Sequence, residues 1–388
     1  MRAMVCGAAI AGLTTAWWLC RYGWDVILVE RDPALRAAGY LIDFGRPGYD
    51  VIDRMNLLPQ LREVAQHIPA AVFVNADGRQ TARLDFSVAE RLMDGKMANL
   101  MRGDLARVLH NALPDHVRRR FGTTVRSVRE FMGEVQVTLS DGSEHVVDLL
   151  VGADGVRSHT RRMAFGPDEL YLRPLGYHTA AFLFTDARIA AELGPQVRML
   201  TLPGRQAGFY RLPDSRIASF LIHQSCARDL PADPVAAIRE AYAGMGWVVD
   251  AALASCPPAD QVFYDLVAQV KMPTLSLGNT ALVGDAGMAV SLLAGQGASL
   301  AAYSGYLLAR HVRDAADIPL ALAGYHRDLN PVVDRQQRAG RRAANWVIPT
   351  RRWQIMVRDT VVSAAGLPGL SRLLAPLIAG ADAHVPVP

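Results

Sequence analysis

The segment Gly7-Ala8-Ala9-Ile10-Ala11-Gly12 holds the first residues whose types and spacing could do chemistry. Glycines spaced this way between a strand and a helix make a tight turn, and they let backbone approach a pyrophosphate. The helix N-terminus then receives the negative charge through its free N–H groups and its dipole. The first and last glycines of that fingerprint stand, while the middle position is Ala9, the smallest departure available. Glu30 follows about twenty residues on, where a carboxylate accepts hydrogen bonds from ribose hydroxyls; the plainer alternative is a surface glutamate beside Arg31.

Three further segments have chemical potential. Arg102-Gly103-Asp104 puts a guanidinium ahead of a helical pattern, where it could bind any acidic group. Asp154-Gly155 and Gly284-Asp285 each set an aspartate beside a glycine at the end of an apolar run, and the second leads into Gly295-Gln296-Gly297-Ala298-Ser299. One Asp-Gly pair is an ordinary turn. Two of them joined to a phosphate-binding turn suggest carboxylates placed to meet the sugar hydroxyls of a ligand. The histidines do not cluster with acids at ligand spacing, so no metal site is expected. His223 could face a substrate, but a satisfied structural histidine is the expected reading.

These residues need a frame. The chain opens with a strand over 3–6, a helix over 11–22 ended by Gly23, and a strand over 25–29, a βαβ unit with short connections. A helix is expected from 104 to 113, then strands over 124–128, 135–139 and 145–150, with Asp141-Gly142 as a hairpin turn. Strand patterns at 178–184, 197–202, 208–212 and 217–223, with a helix over 234–245, imply a separate sheet. A buried strand over 280–283 returns before helices over 296–313 and 319–346.

Composition bounds the rest. With 51% hydrophobic and 20% charged residues, 388 residues supply a substantial core, and disorder is excluded. The net charge of +4 comes from scattered arginines, so a nucleic-acid partner is not expected. The densest run, Arg118-Arg119-Arg120, reads as a solvated face just before a strand. Cys6 and Cys20 sit in apolar surroundings as small hydrophobes, and no disulfide framework is implied. No uninterrupted apolar stretch is long enough to span a bilayer, and no leader is apparent; a cytoplasmic protein, monomer or dimer, with no membrane partner is expected.

Taken together, the fingerprint, Glu30, the Arg102 segment, the DG pair, the GD pair and Tyr325-His326-Arg327-Asp328-Leu329-Asn330-Pro331 resemble the class A flavin-dependent aromatic hydroxylases. The resemblance is to the polyketide hydroxylase and tetracycline-inactivating monooxygenase type, and it covers nearly the whole chain. It implies an α/β fold: a Rossmann-like FAD-binding domain of the glutathione-reductase type, an inserted mixed β-sheet substrate domain and C-terminal helices. The boundaries it implies are FAD-binding segments 1–70, 100–170 and 273–345, sheet strands from 71–99, a substrate domain at 171–272 and a helical segment at 346–388.

The resemblance also implies FAD in an extended pose. Its adenine end would lie near Glu30 and Arg31, its pyrophosphate at Gly7, Ala9, Ile10, Ala11 and Gly12 and on Gly284 and Asp285, and its isoalloxazine beside Gly295, Gln296, Gly297 and Ala298. Arg102 would approach the ribityl–phosphate region. Arg46 would lie near the flavin and the nicotinamide path, and Asp154 would serve NAD(P)H handling and domain cohesion. NAD(P)H would reduce the flavin transiently, and a C4a-hydroperoxide would pass oxygen to substrate, so no catalytic side chain beyond Arg46 is implied. Family members commonly carry prolines between the GD pair and the glycine turn. This chain has Met288-Ala289-Val290-Ser291-Leu292-Leu293-Ala294 there.

That departure keeps a redox-neutral polyketide cyclase on the same fold as an alternative, and a non-catalytic flavoprotein that sequesters a drug as a third. The expected substrate is a bulky, hydrophobic small molecule of polycyclic or polyketide type. Phe182, Phe209, Phe220, Ile222 and Leu293 would line its cavity if alternate strand residues face inward. Trp346, Trp353 and 367–377 would pack over the FAD-binding part.

Overall fold

The computed structural model describes residues 1–35, 40–87, 90, 93–131, 133–365 and 387. Apolar runs too uniform for a half-exposed strand build its centre. Val26 to Val29 are all buried, as strands covered on both faces must be. The resulting six-stranded sheet runs in the order Ser276–Leu277, Thr280–Leu282, Leu149–Gly152, Arg2–Cys6, Asp25–Glu30 and Arg118–Phe121. All neighbours are parallel except the first two strands. Val5 sits between Leu28 and Val151, and Val151 also faces Ala281, so the carboxyl ends of the central strands finish at one level.

The arginine run lies within a strand, not ahead of one. Arg118 pairs with Asp25 at 2.6 Å, Arg119 donates to the Leu113 and Pro114 carbonyls, and Arg120 meets Asp141 at 3.1 Å. Its charges mark a sheet edge, where they discourage pairing with another chain. The expected strand over 145–150 is two strands: Glu144–Val147 closes a three-stranded antiparallel sheet, and Leu149–Gly152 enters the parallel one. Of the cysteines, Cys6 is buried but Cys226 is exposed.

A second, larger sheet runs in the order Phe263–Val270, Leu172–Ala181, Ile217–Gln224, Arg205–Arg211, Val197–Leu202, Ala70–Val74 and Gln80–Asp85, with Leu183–Phe184 beside the third strand. Ala98–Met101 does not join it; that strand pairs with Leu41–Phe44 in a separate ribbon. Helices Ala187–Leu193, Pro234–Tyr242 and Val249–Ala254 cover one face of the large sheet. Helix Ile318–Val347 connects the two regions. Its Leu322, Tyr325, Leu329 and Val333 enter the core around the parallel sheet, while Ala344 packs with Ile222 of the large sheet.

The closing helix, Arg352–Ala365, packs against Gln80–Asp85 of the large sheet and not over the parallel one. Val362 contributes an apolar contact with Phe73, and the buried Arg358 lies over the Phe73 ring. Trp346 joins that cluster, but Trp353 is 57% exposed, contrary to the packing expected for it. Residues 367–377 lie outside the described residues. Among the described residues, no helix is long and apolar enough to cross a membrane.

Candidate active site

Open parallel sheets bind ligands in the crevice outside the carboxyl ends of their strands, and the glycine turn stands at that end of the first strand. Helix Ile10–Arg21 starts from Ala9 with no side-chain cap and no acid in its first turn, so its first N–H groups are open to an anion. A methyl on Gly12 would lie 1.8 Å from the Gly7 carbonyl oxygen, and one on Gly7 would lie 2.4 Å from the Ala153 oxygen. Backbone fills that space, and only glycine fits. Glu30 ends the second strand beneath the turn. Its carboxylate accepts from Ala8 N at 2.7 Å and Asp32 N at 2.9 Å, which aims it along the crevice with lone pairs to spare. Arg31 points away, 73% exposed beside Asp32.

A second long helix, Gly297–Val312, begins beside the first, again without a side-chain cap or an acid in its first turn. The two touch closely: Gly305 abuts the Ala11 carbonyl and Thr15, and a Cβ on Gly284 would come 2.6 Å from that of Ala11. Ser304 Oγ accepts from Gly284 N at 3.0 Å and fixes the GD turn to the same helix. Asp285 therefore lies beside the start of the second helix, its Oδ1 3.9 Å from where a Gly297 Cβ would sit. Burial raises its pKa, opposed by the Arg102 guanidinium and reinforced by Asp265.

Arg102 is the first residue of helix Arg102–Asn111, two positions earlier than the sequence pattern implies, and its N–H donates to the Tyr40 carbonyl at 3.1 Å. Tyr40 and Asp43 escaped the sequence reading. The Tyr40 hydroxyl is held above its usual range by burial and stands within the fields of Arg102, Asp285 and Asp265. Asp43 hydrogen-bonds Asn99 across the ribbon, and desolvation raises its pKa. Neither has a motif signal in the sequence. Arg46 is 16% exposed, 3.5 Å from Asp50 and 3.4 Å from Asp94. Its turn is clamped by Ser299, whose hydroxyl accepts from Gly48 N at 2.7 Å and donates to the Gly45 carbonyl at 2.8 Å.

Asp154 is differently employed. Its carboxylate accepts from the Ser158 hydroxyl, from Thr160 N at 2.9 Å and from Thr160 Oγ1 at 3.0 Å. Those bonds brace the start of helix His159–Phe165, so the carboxylate is engaged by its own chain.

The large sheet divides the five expected cavity residues. Phe182 and Phe209 lie on the face covered by helices, where Phe209 packs near Phe184 and Trp247. That corrects their assignment to a cavity wall: Phe209 has the wrong parity along its strand, and Phe182, in the break between two strands, packs into the same helix-covered core. Phe220, Ile222 and Leu293 lie on the other face, with Tyr177, Val267 and Ala344. The Phe220 and Tyr40 rings lie 5.9 Å apart, tilted by 48°, so this apolar face reaches the residue that stands within the fields of Arg102 and Asp285. His223 belongs to the helix-covered face. It bonds the Tyr242 hydroxyl at 3.1 Å, and burial, with help from His178, pushes its pKa down to about 4. That is a structural histidine.

Gln296 precedes the second helix as its N-cap residue, Gly295 is left-handed, and Gly297 and Ala298 form the helix's first positions. A family described as FAD binding domain matches residues 1–168. An uncharacterized protein of Mycobacterium tuberculosis is 33% identical over 346 residues, 86% of this chain and 91% of that protein. A flavin-dependent monooxygenase of an unknown prokaryotic organism is 29% identical, with coverage of 87% and 88%. The chain belongs to the class A FAD-dependent monooxygenases. Among solved members, the tetracycline destructase Tet(55) superposes with a TM-score of 0.84 at 26% identity, covering 100% of this chain and 98% of its own. HpxO of Klebsiella pneumoniae, solved with FAD and uric acid, shares the fold with a TM-score of 0.79 at 20% identity, covering 98% and 97%. FAD is the cofactor of this monooxygenase, and the donor set fits it: an uncapped helix start for a diphosphate, a second one beside it, and a carboxylate one strand away for a ribose.

Proposed function

We propose that the protein hydroxylates a bulky, hydrophobic small molecule with FAD, NAD(P)H and O2. The observation that carries this reading is the meeting of an uncapped dinucleotide crevice with the apolar face of Phe220, Ile222 and Leu293. Bound FAD supplies electron transfer and oxygen activation, and the protein's part is placement.

Glu30 would accept the adenosine ribose hydroxyls, and the N–H groups of Ile10, Ala11 and Gly12 would hold the diphosphate. Asp285 and Arg102 would bind the linker between phosphate and ring, and residues 295–298 would border the isoalloxazine. Arg46, fixed by Ser299, would stand on the nicotinamide approach. The apolar wall excludes water from the reacting face and orients a substrate with few polar handles of its own. An apolar wall suits a hydrophobic ligand, in keeping with the tetracycline destructases this chain resembles.

The test is anaerobic. NADPH or NADH is added to the FAD-loaded protein with candidate polycyclic substrates present, and the absorbance of the oxidised flavin is followed. Bleaching, reversed by air with one oxygen atom gained by the product, is the expected outcome. A bound flavin that stays oxidised with both nucleotides would overturn hydroxylation in favour of redox-neutral ring closure on the same scaffold.

A further inference from the structure

The segment between the GD turn and the glycine turn is held in an unusual way. Ser291 adopts φ 95°, a conformation L residues avoid, while only 5% exposed. Such a residue persists when its surroundings over-determine it. Here the surroundings are two buried glutamines from distant parts of the chain. Gln269, on the last strand of the large sheet, donates through Nε2 to the Val290 carbonyl at 3.0 Å and to the Gln337 carbonyl at 2.7 Å. Gln337, in the long helix, donates through Nε2 to the Ala289 carbonyl at 3.1 Å and to the Val270 carbonyl at 2.7 Å.

The clamp has further parts. Arg341 donates to Gln269 Oε1 at 2.7 Å, which fixes the orientation of that amide so that its NH2 faces the segment. Gly340 lets the helix close in, since a Cβ there would lie 2.7 Å from the Val290 oxygen. The Ser291 hydroxyl then accepts from Leu293 N at 3.2 Å and starts the turn that ends at the left-handed Gly295. Consecutive carbonyls at 289 and 290 are thus bound by side chains from two different elements, immediately before the turn that leads into the second helix.

We propose that Gln269 and Gln337 are positioning residues for the flavin ring: by holding the 289–290 backbone they fix where residues 291–298 meet the isoalloxazine. This rests on the FAD placement proposed above. Buried glutamines serving only the core would have satisfied each other or solvent-side groups. These two direct two of their four N–H contacts at the segment's carbonyls, and the other two tie the strand and the long helix that carry them to each other.

The experiment compares wild type, Gln337→Leu and the near-isosteric Gln269→Glu, which keeps the Arg341 contact but loses the donor to Val290. FAD affinity of the apoproteins is measured by fluorescence quenching, the ring environment by visible circular dichroism of the bound flavin, and folding by apoprotein melting. The expected result is FAD binding weakened about tenfold, roughly 1.4 kcal/mol, with an altered visible dichroism in both variants. Should Gln337→Leu fail to fold, Gln269→Glu decides the matter alone. Wild-type affinity and an unchanged flavin dichroism in the folded variants would overturn the clamp and leave the FAD site standing. Failure of the wild type itself to bind FAD would overturn the FAD placement, and the clamp's proposed role with it.

Discussion

Two of the three helices that cover the large sheet differ from the two long helices that begin at the glycine turns. Asp186 caps helix Ala187–Leu193 by accepting from Arg188 N and Ile189 N, and Asp233 does the same for helix Pro234–Tyr242 through Val235 N and Ala236 N. Helices Ile10–Arg21 and Gly297–Val312 have no such partner and no acid in their first turns. An uncapped start costs stability on its own account. The two long helices that abut at Gly305 leave their first donors open with no acid nearby, whereas helix Val249–Ala254, also without a side-chain cap, carries Asp250 in its first turn.

That contrast can be broken at several points. The largest effect on FAD binding is expected from Gly12→Val. A side chain there collides with the Gly7 carbonyl, so FAD should bind at least about a hundredfold more weakly, roughly 2.8 kcal/mol. Flavin content after purification and FAD titration would report it, and retention of tightly bound flavin would dismiss the glycine turn as the phosphate site. Next comes Phe209→Ala, beneath the helices of the large sheet. A loss of about 3–5 kcal/mol in unfolding free energy is expected from the cavity created. FAD affinity of the folded fraction should stay at the wild-type value; a comparable loss of affinity would mean that this face is not remote from the cofactor. The smallest change is Asp233→Ala, worth about 1 kcal/mol of stability by denaturant melting. The stabilisation conferred by saturating FAD should be the same in mutant and wild type. A change in that increment would show that capped helices, too, report on the ligand.

The backbone-driven half of the site was readable from sequence because its constraints are local. Gly7, Gly12 and Glu30 lie within a single βαβ unit, and their spacing translates directly into a turn and the strand beside it. The sheet was harder. Alternation fixes which residues share a face within one strand, but relating strands requires their register. Phe209 lies opposite Ser219, and Phe220 lies opposite Gly208, so the two aromatics look to opposite sides. Both faces carry buried apolar residues, so hydrophobicity does not distinguish them. Ser299 was visible as part of a glycine-rich run, but its partners at Gly45 and Gly48 are some 250 positions away. Gln269 and Gln337 had no signal at all: a glutamine is ordinarily a surface residue, and only the fold shows two of them buried against one short segment.

Helix Ile318–Val347 sets a constraint of a different kind. Its 30 residues extend about 45 Å, and its two ends keep separate appointments, Tyr325 with the Leu282 carbonyl and Ala344 with the large sheet. A single inserted residue between them would turn one end by about 100° relative to the other and push it on by about 1.5 Å. Both contacts could not then be kept. The helix works as a phase gauge between the two sheets, and insertions or deletions that its surface loops would absorb easily are closed to it.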